Sequence, residues 1–327
     1  MSDWRFRLAD NRGTLIAAAV FALMFIIYVS NHPAGFSSNV VNTSSNKSVL
    51  LALVAMAQTM VVLTAGIDLS VGMVVVLTNC LASWIVVGAG GTTMLGIAGV
   101  LLAGAACGAL NGLIVIYGRL QPIVTTLATG AIYFGIALAL RPVPGGGALN
   151  ETLADTLTGK LYGFLPASLI ALVGVVILVW VPFRRSTIGR AAYAVGSSES
   201  AAYMSGVPIR RARFVAFTVS GLLASIGGLF LTFVTYSGEA SAANGGGYTL
   251  LSIAAVVLGG VSLYGGSGSA IGAIFGAFMF STIGDLLFVF DLEPLWQPLF
   301  RGVVLLAAVC LGAARLFQVR NRLDLFG

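Results

Sequence analysis

Apolar residues in this chain continue for membrane length instead of alternating or recurring on one helical face. Such runs lie near 14–30, 49–65, 69–88, 94–117 and 121–141. After a polar interval at 142–163 come 164–182, 214–236, 249–264, 268–290 and 298–315. An α-helix rises about 1.5 Å per residue, so about 20 apolar residues cross the hydrocarbon core of a bilayer. The pattern predicts an all-α, polytopic helical membrane protein: about ten transmembrane helices in one domain over 1–327. The count is least fixed at 49–88 and 249–290, where only short Gly/Ser/Asp stretches divide the runs. The first run follows Arg5, Arg7 and Arg12, and no small-x-small cleavage site follows at Tyr28-Val29-Ser30-Asn31, so it is read as a retained helix.

Composition narrows the class. Hydrophobic residues make up 58% of the chain and charged residues 9%, against about 25% charged in a soluble domain. There is too little polar surface to cover a soluble fold. That excludes a soluble enzyme, a nucleic-acid binder and a disordered chain. The 42 glycines fit close helix packing in lipid. The net charge of +6 reads as a topology signal. With ten spans and a cytoplasmic N-terminus, the inside holds Arg5, Arg7, Arg12, Arg119, Arg184, Arg185, Arg190, Arg210, Arg211, Arg213, Arg315, Arg320 and Arg322. The outside keeps Lys47, Arg141, Lys160 and Arg301. This asymmetry places both termini in the cytoplasm. Cys80, Cys107 and Cys310 lie in apolar runs and read as reduced packing residues, and the lone His32 makes no metal site. Trp4, Trp180 and Trp296 fall at expected interfaces and fit an aromatic belt.

The longest inside loop, 183–213, carries arginines at both ends and small, nearly uncharged residues between them. Ser197 or Ser198 suits an N-cap, with Glu199 in the first turn and Gly206 and Pro208 as the stop. One short helix, about 198–205, is expected outside the membrane. It reads either as a connector or as a docking element for a cytoplasmic partner.

Candidate chemistry is sparse. Asp68 is one of few acids at a span, and a carboxylate at the bilayer centre costs about 2.5–3.5 kcal/mol on insertion scales. It either braces a break between two helices, freed by Gly66 and Gly72 with Ser70 capping the new helix, or sits in a simple cytoplasmic turn as an N-cap. Asp285 is placed near the outer interface, to meet a solute or to snorkel. Tyr133, Phe134, Phe233 and Tyr236 are aromatics whose rings are free to stack on a solute. Gly104, Gly108 and Gly112 form one small-xxx-small face, and Gly268, Gly272 and Gly276 a second, both read as helix-packing faces. No G-x-x-x-x-G-K-[ST] loop exists, so ATP hydrolysis is expected on a separate subunit and this chain is not read as an enzyme.

Several blocks carry a family resemblance. Thr187-Ile188-Gly189-Arg190, Tyr193-Ala194-Val195-Gly196, then Glu199, Ala201, Ala202 and Ser205-Gly206-Val207 resemble the cytoplasmic coupling loop of the monosaccharide ABC importer permeases, the ribose, xylose and arabinose permease family. Gly66-Ile67-Asp68-Leu69-Ser70-Val71-Gly72 resembles the most recognisable motif of that family. Ser252 through Gly260, with Ser262-Leu263 and Gly265-Gly266, resembles its late glycine block, and Asn111-Gly112 and Pro122 through Thr126-Leu127 also fit. The resemblance spans roughly 50–312 in order. It implies a multi-pass permease subunit in a bacterial inner membrane, moving a monosaccharide or related polyol, with no cofactor of its own. The implied partners are a cytoplasmic ATP-binding subunit, a periplasmic sugar-binding protein and a second permease copy. With a sugar as substrate, the candidate pathway residues are Asp68, Ser70, Asn111, Tyr133, Phe134, Phe233 and Asp285, with Asp285 for a sugar hydroxyl and the aromatics, Tyr236 included, for a sugar ring; the implied coupling residues are Gly189, Arg190, Glu199, Ala202 and Gly206. A branched-chain amino-acid permease, an ion-coupled secondary transporter and a passive channel are the competing readings.

Overall fold

The computed structural model describes residues 12–145 and 149–296, with 298–300, 302, 303 and 306 beyond them. Most of the tenth expected span, the terminal arginines, Arg301, Trp4 and Cys310 lie outside the described residues. The elements are α1 (Arg12–Asn31), α2 (Ser38–Val62), α3 (Val71–Ile85), α4 (Gly91–Tyr117), α5 (Pro122–Leu140), α6 (Glu151–Thr158), a two-stranded hairpin of β1 (Lys160–Leu161) and β2 (Leu165–Pro166), α7 (Ala167–Arg185), α8 (Thr187–Ser197), α9 (Glu199–Met204), α10 (Ile209–Thr235), α11 (Ala242–Leu258) and α12 (Ala270–Val289). The protein is a mostly helical polytopic membrane protein. Among the described residues, α1, α2, α4, α5, α7, α10 and α12 are long and apolar enough to cross a membrane. The apolar helices α3 and α11, of 15 and 17 residues, are shorter.

The bundle is organised around α2, whose apolar window is 89% buried. That burial decides its place: α10, α11, α12 and α7 all pack on it. The helix starts at Ser38, well before the apolar run that begins near 49, because Ser37 caps it by accepting from Val40 N and no glycine or proline interrupts 38–62.

Two helix pairs approach at backbone distance. A Cβ added at Gly108 would sit 2.1 Å from Phe217 O, and one at Gly104 2.3 Å from Ser225 Cβ, so α4 and α10 touch along Gly104, Gly108 and Gly112. On α12, Gly276 faces Ala255 O and Gly272 faces Gly259, closing α12 on α11. Gly268 does not belong to that face. It precedes the N-cap Ser269 with φ 114, in a loop against Val261, so its role is a backbone turn that other residues rarely adopt.

Trp180 also departs from expectation. It is 1% exposed and stacked on Phe183 at 6.2 Å, inside the fold rather than in an interfacial belt. A π-turn at Val176–Trp180 precedes Pro182, which has no N–H for the helical ladder; the wider turn re-aims the tryptophan inward. The polar interval at 142–163 is not a plain loop either. Asn150 caps α6 by accepting from Leu153 N, and the hairpin follows.

Candidate substrate pathway and coupling surface

Between Leu63 and Ser70 the chain leaves helical geometry. Ala65 is exposed at the start of this break, and the chain then turns inward, leaving Asp68 2% exposed and Ser70 fully buried. Unwound backbone away from water must find a partner for each N–H and C=O. Side chains from three helices provide them. The Gln58 amide on α2 donates to Asp68 O at 2.9 Å and accepts from Asp68 N at 3.2 Å. Thr126 on α5 accepts from Leu69 N at 2.8 Å, and Thr249 on α11 accepts from Gly72 N at 3.1 Å. A Cβ at Gly72 would lie 1.9 Å from Gly245 O, so only glycine lets α3 and α11 meet here.

The side chains continue the network. Asp68 Oδ1 accepts from Ser70 N at 2.9 Å and from Ser70 Oγ at 2.6 Å. Ser70 Oγ accepts from Asn111 Nδ2 at 2.8 Å, and Asn111 Oδ1 accepts from the Tyr133 hydroxyl at 3.0 Å. Four candidates from the sequence, Asp68, Ser70, Asn111 and Tyr133, thus meet in one buried chain linking the break to α4 and α5. The capping bond comes from Asp68, as the second of the two expectations has it, and not from Ser70. The Ser70 hydroxyl makes no cap bond to α3, and the Asp68 carboxylate holds the Ser70 N–H instead. Among the described residues Asp68 has no cationic partner within bonding distance. Its polar neighbours are uncharged, and their bonds brace the break.

The other candidates lie elsewhere. Phe134 is half-buried at the edge of the main core. Phe233 is buried with Ala82, Val86 and Val100 in a separate apolar cluster. Tyr236 caps α10 in a left-handed conformation and its hydroxyl donates to Asp155. Asp285 is 6% exposed and faces the N-terminal half of α2, accepting from Ser44 Oγ at 3.0 Å and from Lys47 Nζ at 3.1 Å.

That N-terminal half of α2 is what sequence reasoning missed. Its run Ser-Asn-Val-Val-Asn-Thr-Ser-Ser-Asn-Lys-Ser over 38–48 is helical, with Asn39, Thr43 and Lys47 exposed at one-turn intervals ahead of a fully buried stretch over 48–62. Asn42 and Asn46 both donate to Thr158 O, at 3.0 and 2.8 Å, tethering α6 to the same helix. The signal was present: a polar segment joined to an apolar run without a breaker.

At the opposite end, the 183–213 loop forms two helices rather than one. Ser186 caps α8 through Gly189 N, and Ser198 caps α9 through Ala201 N. A Cβ at Gly189 would reach 1.9 Å from Phe183 O, so the α7–α8 corner closes only on glycine. Gly206, at φ 72, ends the second helix. Ala202 is 4% exposed, packed on Ala191, Val195 and Ala212, and so belongs to the protein's own core, not to an outer docking face. Glu199 is engaged within the chain by both guanidinium nitrogens of Arg213, at 2.9 and 2.7 Å. Tyr203 and Met204, 76% and 81% exposed, project outward instead, as does Arg190. This unit touches the break directly. Gly266 N donates to Leu63 O at 3.1 Å, Gly196 packs on both, and Tyr193 donates to Gly268 O at 2.7 Å.

A bundle of apolar helices, a polar break held by side chains inside it and a capped helical loop at one end define a multi-pass membrane permease. Residues 40–309 match the family described as "Branched-chain amino acid transport system / permease component", and the chain belongs to that family. It is 32% identical over 296 residues to the ribose import permease protein RbsC of Bacillus subtilis, covering 89% of this chain and 90% of that one. It is 35% identical over 319 residues to the autoinducer 2 import system permease protein LsrC of an Enterobacter species, covering 96% and 90%. It is 28% identical over 303 residues to the D-allose transport system permease protein AlsC of Escherichia coli, covering 92% and 91%. No solved structure matches the chain.

Proposed function

We propose that the protein is the membrane-spanning permease subunit of an ATP-driven ABC importer for a monosaccharide or related polyol. The observation that carries this is the pairing of a hydroxyl- and amide-rich outer half of α2 with a buried, braced break at the other end of the same helix. A neutral sugar is recognised by such groups, and an importer needs a discontinuous helix that can be moved. The sugar-transport relatives support the substrate class.

In this reading the chain crosses the inner membrane ten times with both termini in the cytoplasm. A second permease copy completes the pathway, and a periplasmic binding protein delivers substrate to the polar outer half of α2. The ATP-binding subunit docks on the loop at 183–213 through Tyr203, Met204 and Arg190. Its closure is transmitted through α8 and the Gly266–Leu63 contact to the break at Asp68, which repositions α3. The chain itself contributes no ATP hydrolysis.

The family description keeps an amino-acid substrate as a second reading. Proteoliposomes holding the permease with its ATPase, supplied with the binding protein, test both. The expected result is uptake of a monosaccharide or polyol that requires ATP on the ATPase side. Uptake of leucine but no sugar supports the second reading. Sugar uptake driven by an ion gradient without ATP overturns both.

A further inference from the structure

We propose that the cytoplasmic mouth of α4 and α10 is a binding site for the phosphate headgroup of an anionic phospholipid, and that its occupancy competes with the ion pair holding α9. A cavity of about 660 Å³ opens there, and Arg119, Arg210, Arg211 and Arg213 line it. Glu199 supplies the one carboxylate of the lining, and that carboxylate is bonded to Arg213. Among the described residues, Arg119, Arg210 and Arg211 have no acidic partner within salt-bridge distance.

Arginines at a cytoplasmic boundary are ordinary topology signals. Three features go beyond that. First, these four converge on a single concavity rather than spreading along a surface. Second, Arg119 is held at φ 53, a left-handed conformation costing about 1 kcal/mol or more for a residue with a side chain, in the short turn between α4 and α5. Third, most of the remaining wall is apolar, with Val115, Leu120 and Ile209 lining the same cavity as the arginines and Thr64 and Tyr203 its uncharged polar members.

That chemistry selects the ligand. Guanidinium forks match phosphate oxygens. An apolar wall beside them suits a headgroup whose glycerol and acyl chains continue into the bilayer, as in basic pockets at the cytoplasmic ends of transmembrane helices. Leu120 and Tyr117, 50% and 70% exposed at the same end of α4, present a surface for those chains. A soluble phosphate would gain nothing from them.

Arg213 gives the site its consequence. It lines the cavity and also clamps Glu199 in the first turn of α9. A phosphate drawing the Arg213 guanidinium inward does so against the Glu199 carboxylate, so lipid and α9 compete for one cation. The binding claim is independent of the transport reading, since it needs no ATPase or sugar.

The test uses the purified full chain in detergent, titrated with phosphatidylglycerol or phosphatidylcholine and read by native mass spectrometry. Phosphatidylglycerol should bind and phosphatidylcholine should not. The triple variant Arg119→Gln/Arg210→Gln/Arg211→Gln should weaken binding by about fivefold per arginine, roughly a hundredfold in all. Glu199→Gln should tighten it by releasing Arg213, an effect that a merely structural role for the cavity does not produce. Arg184→Gln/Arg185→Gln, elsewhere on the same side, should leave it unchanged. If the triple variant does not fold, Arg210→Gln and Arg211→Gln are read singly. Unchanged binding in the cavity variants, or a loss of equal size in the Arg184/Arg185 control, overturns the site. Displacement of the lipid by inorganic phosphate at equal concentration overturns the lipid assignment.

Discussion

Ser70 is the point where the break can be weakened without changing charge or volume much. Ser70→Ala removes a 2.6 Å bond to the Asp68 carboxylate and a 2.8 Å bond from Asn111. In membrane bundles a side-chain hydrogen bond averages about 0.6 kcal/mol by double-mutant cycle. Two such bonds set a floor of about 1 kcal/mol. A buried donor left alone costs about 1–3 kcal/mol more. The Asn111 amide is fully buried, so its freed proton has no water to turn to. The expected destabilisation is therefore about 2–4 kcal/mol. Equilibrium unfolding of the full chain in mixed micelles, with denaturing detergent as the variable, reads it. The cycle with Asn111→Ala should return a coupling of about 1 kcal/mol, because the two residues share a bond. A loss below about 0.5 kcal/mol together with zero coupling would refute the claim that these bonds hold the break.

Three further outcomes follow from the same geometry. Tyr203→Ala/Met204→Ala should leave folded yield intact and abolish ATP-driven uptake; wild-type uptake with the ATPase still bound would sink the docking role. Ala202→Trp should instead lower folded yield, since that site is filled by Ala191, Val195 and Ala212, and a normal melting temperature would contradict the packing. Gly108→Leu should reduce folded yield, because a first carbon already sits 2.1 Å from Phe217 O, and normal yield with unchanged transport would contradict the close contact of α4 and α10.

Most of the helices were legible because burial in lipid demands long apolar runs, and α1, α4, α5 and α12 begin and end near where the runs do. What hydropathy alone missed was polarity placed inside protein. Hydropathy puts the start of the helix over 38–62 near 49, since its polar half resembles a loop to any measure of apolarity. The break at Asp68 was visible in its glycines and its acid, but whether it was buried depended on Gln58, Thr126 and Thr249, which arrive from distant helices. Small residues misled in both directions. Ala202 looked like an interface alanine and is core, and Gly268 kept the four-residue period of a helical face while lying in a turn.

The shortness of α3 and α11 has a consequence for biogenesis. A helix of 15 residues reaches about 22 Å, short of the roughly 30 Å hydrocarbon core. Each of these helices meets the other through Gly72, Gly245 and Thr249. The ribosome completes α3 long before it makes α11. Until then, the backbone groups of the break lack Thr249, and the newborn segment has to be sheltered by its neighbours or by the insertion machinery. The order of synthesis thus leaves the central element of the permease as one of the last parts to reach its final place.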